Sequence, residues 1–419
     1  MHPAILQVLM NRPIIPSSCR PSLLMMQHGA KRGSVSYSLT NLVSNGDFSG
    51  GTTGWENQAN ASLSASSNIL SLTGTGGNAY GGRQDTATAI SVGATLFYKA
   101  LMRTTTGLGG AELTLGLRGS TSGITDSVFA QQNSPVTNTW YTISQIAQTP
   151  ATWTGVYRLV LLSLGAIGNT GMIIQNQNVM LYNLTTPMGA GNTTTAAEMS
   201  DILTQSGETY WDGAKTLLCN PSNKYFDFDY SGNNRPLKMY NFAYTTASGW
   251  NGNYLVLDGT DDYLRRVLSA AIADGTAYSA GLVFNIAANK TAMSLHTGST
   301  VAMILGLDAS GYVTATTYKT DGTAYTATGN VSYAGKNVMA TVVMDTASNL
   351  LSLYVNGSFV ASAAAAATVR GFSTVSVGRN AADSAYTALS KGMNFLNTKA
   401  LTGSEVAGYY HGNKKFFGI

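Results

Sequence analysis

Short runs in which apolar and polar residues alternate, separated by turn-forming residues, make up most of this chain. Four such runs in the first half are residues 69–72, 111–117, 140–143 and 157–164. Alternation with a period of two places every second side chain on one face of a strand, and turns about ten residues apart are typical of antiparallel sandwiches. We therefore predict that residues 41–186 form a β-sandwich.

A different pattern marks residues 187–214. Thr195 and Glu198 have the spacing of a capping box, and the apolar residues that follow recur three and four positions apart. A capping box satisfies free amides at the start of a helix, and this apolar spacing lies on one helical face. The segment is therefore predicted to be a connector that contains a short helix.

Strand patterns resume over residues 215–419. Asn356-Gly357, the favoured pair of a type I′ turn, lies between alternating apolar runs and predicts a hairpin. Thr402 and Glu405 form a second capping box, which predicts a helix near the end of the sequence. The predicted fold class is all-β: two antiparallel β-sandwich (jelly-roll) domains joined by the short helical connector, with an extended N-terminal arm.

That arm, residues 1–40, contains no Asp or Glu but has basic residues beside apolar clusters such as residues 23–26. It is too short to bury a core by itself. Two interpretations follow from this pattern. The arm is either an untethered terminus, or a segment that becomes ordered by docking on a partner subunit, where apolar burial offsets the lost entropy.

Composition and charge argue against several classes of protein, including nucleic-acid-binding and membrane-inserted proteins. Only 11% of the residues are charged, against about 25% in an average soluble domain, and the net charge is +4. The basic residues form no stripe, so we predict no nucleic-acid partner. No apolar run approaches the roughly 20 residues that cross a bilayer, so no membrane insertion is predicted. Cys19 and Cys219 indicate neither a disulfide framework nor a zinc site.

Two segments resemble parts of known proteins. Residues 45–48 (Asn-Gly-Asp-Phe), followed by Gly54-Trp55, resemble the first strand of jelly-roll carbohydrate-binding modules. Residues 182–213, with Gly-Ala-Gly-Asn at 189–192 and Tyr-Trp-Asp-Gly at 210–213, are similar to a segment that recurs in tail and appendage proteins of tailed bacteriophages. The second resemblance implies a protein of the phage particle.

The last domain resembles the concanavalin A-like (laminin G-like) sandwich family. Four matches occur in the family's order: residues 257–264 (Leu-Asp-Gly-Thr-Asp-Asp-Tyr-Leu), 353–357, 377–380 and 401–410. The resemblance implies the fold, and a fold by itself does not define a function.

Catalysis finds little support in the acidic residues. Glycoside hydrolysis needs two carboxylates that face each other across a sugar, and the hydrolases that share this fold have paired glutamates at alternate positions of one strand. No two glutamates of this chain are close in sequence: Glu56, Glu112, Glu198, Glu208 and Glu405. We predict no catalytic residue and a protein that is not an enzyme.

A metal or cofactor is not predicted either. Asp258, Asp261 and Asp262 are the densest acidic cluster and have the hard oxygen ligands that calcium prefers. The favoured interpretation is that Asp258 and Asp261 bond turn amides and that Asp262 caps a strand edge.

Sugar binding uses exposed aromatic faces flanked by amide or carboxylate side chains. Trp250 and Tyr254 lie beside Asn251 and Asn253 in a predicted loop, and these four are the predicted ligand-binding residues. Each aromatic candidate also has a core interpretation, because large aromatic side chains dominate sandwich cores. That interpretation is favoured for Trp55. The other aromatic candidates are Trp140, Trp153, Trp211 and Tyr80.

Together these expectations describe a virion structural protein (tail fibre, appendage or head fibre), made in the host cytoplasm, that adheres to a host-surface glycan. The N-terminal arm is expected to bind other virion proteins. A homo-oligomer is expected to combine several weak sites through avidity. Two alternatives stay open: a non-binding spacer or decoration protein and, with less support, a glycan-degrading enzyme.

Overall fold

The computed structural model divides the chain into two compact units. One comprises Ser36–Cys219 and is called the first sandwich; the other comprises Met1–Val35 with Asn220–Ile419 and is called the second sandwich. The described residues are 15–28, 35–77, 79–87, 89–107, 112–119, 128–150, 157–164, 170–205, 210–219, 225–227, 229–231, 233, 235–252, 254–365, 368–380 and 385–419.

The strands are numbered in chain order. Those up to residue 219 are β1 (Leu23–His28), β2 (Val35–Thr40), β3 (Glu56–Ala59), β4 (Ala61–Ser66), β5 (Ile69–Gly74), β6 (Ala79–Asp85), β7 (Thr95–Thr104), β8 (Glu112–Gly119), β9 (Val128–Gln132), β10 (Tyr141–Gln148), β11 (Tyr157–Leu164), β12 (Ile173–Asn183) and β13 (Ala214–Cys219). All the strand pairs that the structure describes in the two sandwiches are antiparallel, as predicted.

The strands that follow are β14 (Phe226–Asp227), β15 (Leu237–Tyr240), β16 (Gly249–Asn251), β17 (Tyr254–Asp258), β18 (Tyr263–Ile272), β19 (Tyr278–Ile286), β20 (Lys290–Thr297), β21 (Thr300–Leu307), β22 (Tyr312–Tyr318), β23 (Ala324–Ser332), β24 (Val338–Asp345), β25 (Leu350–Val355), β26 (Ser358–Ala364), β27 (Phe372–Val377) and β28 (Ala388–Asn397). The helices are α1 (Thr185–Met188), α2 (Ala196–Gln205) and α3 (Gly403–Asn413), with 3-10 turns at Ser17–Ser22 and Lys414–Phe416. Among the described helices, none has the length and apolar character needed to cross a membrane.

The first sandwich consists of two five-stranded sheets and a small β13-β2 ribbon. The sheet orders are β10-β7-β12-β5-β4 and β3-β6-β11-β8-β9. In β7, Leu96, Tyr98, Ala100 and Met102 alternate into the core between the sheets. Trp55 is 6% exposed in the same core, which confirms the interpretation favoured for it.

In the second sandwich, two eight-stranded sheets face each other across the core. The first has the order β16-β17-β28-β19-β24-β25-β26, with β1 also paired to β28, and the second runs β14-β15-β18-β27-β20-β21-β22-β23. Val355 pairs with Ser358 across Asn356 and Gly357, whose φ angles are 50° and 80°. Positive φ at both turn residues is the type I′ conformation, so the predicted hairpin is confirmed.

The N-terminal arm is where the structure departs most from the predicted organisation. β1 pairs along β28, with Met26 opposite Phe395 and Gln27 opposite Asn394. Met25 is buried in the core between the sheets, and Met26 is buried in a second apolar cluster that also contains Val406 of α3. The arm interpretation is therefore wrong for this segment, because its backbone and its apolar side chains are used within the second sandwich. Residues 1–14 and 29–34 of the arm lie outside the described residues.

Both predicted capping boxes are present. In the first, the Thr195 amide donates to Glu198 and the Glu198 amide donates to the Thr195 hydroxyl, at the start of α2. In the second, Thr402 and Glu405 make the same reciprocal bonds at the start of α3. Glu405 also accepts from Lys399 at 2.6 Å, and Lys399 donates to the Ser18 carbonyl. Glu405 therefore joins α3 to the N-terminal segment.

Glu405→Gln is expected to lower the free energy of unfolding of the second sandwich by about 1–2 kcal/mol near neutral pH. Burial opposes ionisation of Glu405, but hydrogen bonds from Lys399, Ser18 and the Thr402 amide outweigh it and hold its pKa at about 2. A carboxyl whose pKa is lowered on folding stabilises the protein above its unfolded pKa, and that stability is lost as the pH falls toward the folded pKa. Urea unfolding of both proteins at several pH values measures this. A difference that is as large at about pH 2 as at neutral pH would contradict the assignment.

Candidate functional site

The predicted ligand residues Trp250 and Tyr254 lie on a hairpin and not in a loop. β16 pairs with β17 so that Trp250 is opposite Leu255 and Asn251 is opposite Tyr254. Opposite residues share a face of the sheet, and successive residues alternate between faces. Trp250 packs with Leu255 against the core between the sheets, whereas Tyr254 packs against the outer cluster around α3.

Tyr254 is used structurally. Its hydroxyl donates to the Phe417 carbonyl, its ring makes an edge contact with the Phe417 ring at 5.6 Å, and burial raises its pKa to about 12. Asn251 is exposed, and its side-chain amide donates to the Thr246 carbonyl at 3.5 Å. Asn253 lies outside the described residues. The predicted loop is therefore wrong, because the segment is a hairpin that places the two rings on opposite faces. A ligand role for Trp250, Tyr254, Asn251 or Asn253 stays a prediction.

The other aromatic candidates divide between core and surface. Tyr80 is fully buried in the first core. Trp211 is 8% exposed and stacks on Tyr182 with ring centroids 5.0 Å apart. Trp153 lies outside the described residues, and so does Glu208, one of the five glutamates considered for catalysis. Trp140 is half-buried and contacts a polar surface described below.

Two of the three clustered aspartates, Asp258 and Asp262, make the turn contacts that were favoured for them. One Asp258 oxygen accepts from the amides of Thr260 and Asp261, as in an Asx turn, and Asp262 accepts from the Asp258 amide. Burial raises the pKa of Asp262. One carboxylate oxygen from each of the three lies within 4.8 Å of the others. These hydrogen bonds agree with the turn and strand-edge roles predicted for Asp258 and Asp262. Among the described residues, the Asp261 side chain makes no hydrogen bond to a turn amide, so its predicted turn role is not supported.

A row of polar side chains crosses the outer face of one sheet of the first sandwich. It is formed by Trp140, Arg103, Gln175 and Ser71, and is called the polar row. The Arg103 guanidinium lies 4.6 Å from the centre of the Trp140 ring and donates through Nε to Gln175 Oε1 at 2.8 Å. Gln175 donates in turn to Ser71 Oγ at 3.2 Å. The four side chains therefore form one continuous chain of contacts.

Strand register sets this arrangement. Arg103 of β7 is opposite Gln175 of β12, which is opposite Ser71 of β5, and Trp140 directly precedes β10 on the other side of β7. Opposite residues in neighbouring strands point to the same face, and strands are about 4.8 Å apart. The row is therefore roughly 14 Å long from β10 to β5. Its inward neighbours, such as Met102 and Ile174, fill the core beneath it.

The polar row combines two kinds of group that bind sugars. Trp140 offers an aromatic face, which packs against apolar ring faces, and the guanidinium and amides donate hydrogen bonds in fixed planes. All four members are part-exposed, neither fully buried nor fully solvated. Mutual contacts fix their orientations before any ligand binds, which reduces the entropy lost on binding.

Sequence reasoning included Trp140 among the candidates but missed Arg103, Gln175 and Ser71. These residues are far apart in the chain, and no short motif marks them. The available signal was alternation: in β7, Lys99, Leu101 and Arg103 alternate with the buried residues. Such alternation places Arg103 on the outer face, but only the register identifies its neighbours.

Comparison with known proteins gives limited similarity. No family model and no curated protein matches this sequence. Among solved structures, the binding domain of botulinum neurotoxin serotype D aligns at 17% identity over 44% of this chain and 48% of that chain, with a TM-score of 0.37. This chain therefore spans about half the length of that protein.

Two smaller proteins also align. A Ruminococcus gnavus IT-sialidase CBM40, solved with alpha2,3 sialyllactose, aligns at 18% identity over 32% of this chain and 82% of its own, with a TM-score of 0.28. A SAP-like pentraxin from Limulus polyphemus aligns at 12% identity over 35% of this chain and 73% of its own, with a TM-score of 0.30. These values carry no conclusion about function.

Proposed function

We propose that this chain is a structural protein of a bacteriophage particle that adheres to a host-surface glycan through the polar row of its first sandwich. The particle role is supported by the resemblance of residues 182–213 to phage tail and appendage segments. The adhesive role is supported by the contact geometry of the row. The two parts of the proposal are independent of each other.

The observation that carries the adhesive role is the position of Arg103. Its guanidinium lies against the Trp140 ring, and its Nε bonds Gln175. A guanidinium has five N–H donors, and the contact with Gln175 uses one of them. The guanidinium covers one face of the Trp140 ring, so a sugar packs against the rest of the ring while its hydroxyls accept from the remaining arginine donors.

Binding suits this site better than hydrolysis. The polar row contains no carboxylate, whereas glycoside hydrolysis requires two. Two acidic groups of the same sandwich are engaged in ion pairs, Glu56 with Arg83 at 2.8 Å and Asp85 with Arg158 at 2.6 Å. An individual shallow site of this kind binds weakly. A homo-oligomer that presents several copies would raise the apparent affinity through avidity.

Trp140→Ala and Arg103→Lys are each expected to weaken binding of the full chain to intact host cells and to purified wall polysaccharide by about tenfold. Lysine keeps the charge but lacks the planar guanidinium, which lies over the Trp140 ring and donates a hydrogen bond to Gln175. The measurement is a saturation curve with fluorescently labelled protein. Phe359→Ala is the matched control, because Phe359 is an exposed aromatic residue (56%) of the other sandwich.

The unfolding midpoint of each variant is compared with that of the parent protein, so that loss of the fold is separated from loss of contact. Weaker binding by both variants with an unchanged midpoint, and parent-like binding by Phe359→Ala, supports adhesion at the row. Parent-like binding by both row variants would contradict it. If the parent protein itself binds no wall polysaccharide, the spacer alternative replaces adhesion.

A further inference from the structure

A cavity of about 510 Å³ lies at one end of the second sandwich. It is bounded by the end of β18, the turn between β20 and β21, the turn after β22 and the start of β27. Two charged side chains and three threonines contribute to its lining: Arg370, Asp274, Thr297, Thr300 and Thr320. None of these residues belongs to the polar row.

Arg370 is held by backbone carbonyls and not by an acid. One terminal nitrogen donates to the Val301 carbonyl at 3.0 Å, and the other lies 3.5 Å from the Thr320 carbonyl. Among the described residues, Arg370 has no ion-pair partner. Its charge is therefore positioned by the fold but not neutralised, and its remaining N–H groups are available to an acceptor in the cavity.

Asp274 is positioned in a similar way. One of its oxygens accepts from the Gly371 amide at 2.7 Å, and within the described part of the chain it pairs with no cation. Gly371 fits here because a Cβ at this position would lie 2.0 Å from the Ile272 carbonyl oxygen. The close backbone approach therefore fixes Asp274 beside the cavity, where the described residues show no ion pair between it and Arg370.

We propose that this cavity binds a carboxylate-bearing sugar unit of a glycan. The planar guanidinium of Arg370 matches the two oxygens of a carboxylate, and the second oxygen of Asp274 accepts hydrogen bonds from sugar hydroxyls. Asp274 also disfavours a doubly charged phosphate, because like charges in one cavity repel. The singly charged carboxylate with neighbouring hydroxyls is the ligand chemistry that fits both groups. The site goes beyond the adhesion proposed above and does not depend on it.

The test uses two forms of one polymer, polygalacturonate and the same polymer with its carboxyl groups reduced to alcohols. The full chain is expected to bind the carboxylated form at least about tenfold more tightly at low salt. Arg370→Gln is expected to abolish this preference. Thr300→Asp, which adds a negative charge to the cavity and retains Arg370, is expected to reduce the preference as well. Thr328→Asp, the same change on exposed strand β23, is the control and should bind as the parent does.

These outcomes separate the two proposals. The cavity site is supported if Arg370→Gln and Thr300→Asp lose the preference for the carboxylated polymer while Trp140→Ala retains it. This holds whether or not the polar row binds a glycan. Equal binding of the two polymers by the parent, no binding of the carboxylated one, or an unchanged preference in Thr300→Asp would overturn it. Since Thr300→Asp retains the Arg370 side chain, the test remains valid if Arg370→Gln fails to fold.

Discussion

A chain that begins at Ser36 is expected to lose cooperative unfolding of its second sandwich, although it retains all of residues 220–419. The deletion removes β1, which pairs with β28 over Leu23 to His28. It also removes buried apolar side chains from two clusters: Cys19, Leu23, Met25 and Met26. Burial of Leu23, Met25 and Met26 contributes about 1.5–3 kcal/mol each, so the summed loss is comparable with the 5–15 kcal/mol that stabilises a typical domain.

Polar contacts of β1 increase this loss. The Met26 amide donates to Asp229, and the Gln27 amide group donates to the Arg235 carbonyl at 3.0 Å. Gln27 also accepts from Asn394 of β28 in the interior. Without the strand, the buried Asn394 amide would lose its acceptor Gln27, and an unsatisfied buried group costs about 1–3 kcal/mol.

The measurement is thermal unfolding followed by near-ultraviolet circular dichroism, with and without a synthetic peptide of residues 15–28. The peptide is expected to restore a cooperative transition, because its register on β28 is specified by Met25 and Met26, which are buried in different clusters on opposite faces of the strand. A control peptide with Met25→Asp and Met26→Asp should fail to do so. A sharp transition near the parent midpoint without any peptide would show that β1 is dispensable.

Local features of this fold are readable from the sequence. The Asn356-Gly357 hairpin and the two capping boxes depend on residues within a few positions of each other, and the structure has all three. Strand alternation likewise depends on neighbouring residues, and β5, β10 and β11 occur where it predicts them. Such features are encoded where they form.

Features that depend on register are not readable in this way. In the sequence, β1 and β28 are separated by more than the whole first sandwich. No pattern of neighbouring residues therefore shows that Met25 faces a core. The polar row requires the register of four neighbouring strands at once. The loop predicted around Trp250 and Tyr254 is wrong for a related reason: the segment is a hairpin, and strand alternation places the two rings on opposite faces.

The core of the second sandwich contains an ion pair that links its two sheets. Lys391 of β28 donates to Asp227 of β14, and the two side chains are 0% and 2% exposed. Burial lowers the pKa of Lys391 and raises that of Asp227, while each partner opposes the shift of the other. Each charge is therefore tolerated in the interior because the other one is present.

Lys391→Met is expected to reduce the free energy of unfolding by about 3–5 kcal/mol, because it leaves the Asp227 carboxylate buried without a partner. Urea unfolding of the full chain, followed by a probe of the second sandwich, measures the change. The double variant Lys391→Met, Asp227→Leu should recover most of the loss, since it removes both charges and fills the space with apolar groups. Lys319→Met, which breaks an exposed pair with Asp321, should leave the midpoint unchanged. If the double variant is as unstable as the single one, the loss comes from packing around Lys391 and not from the unpaired charge.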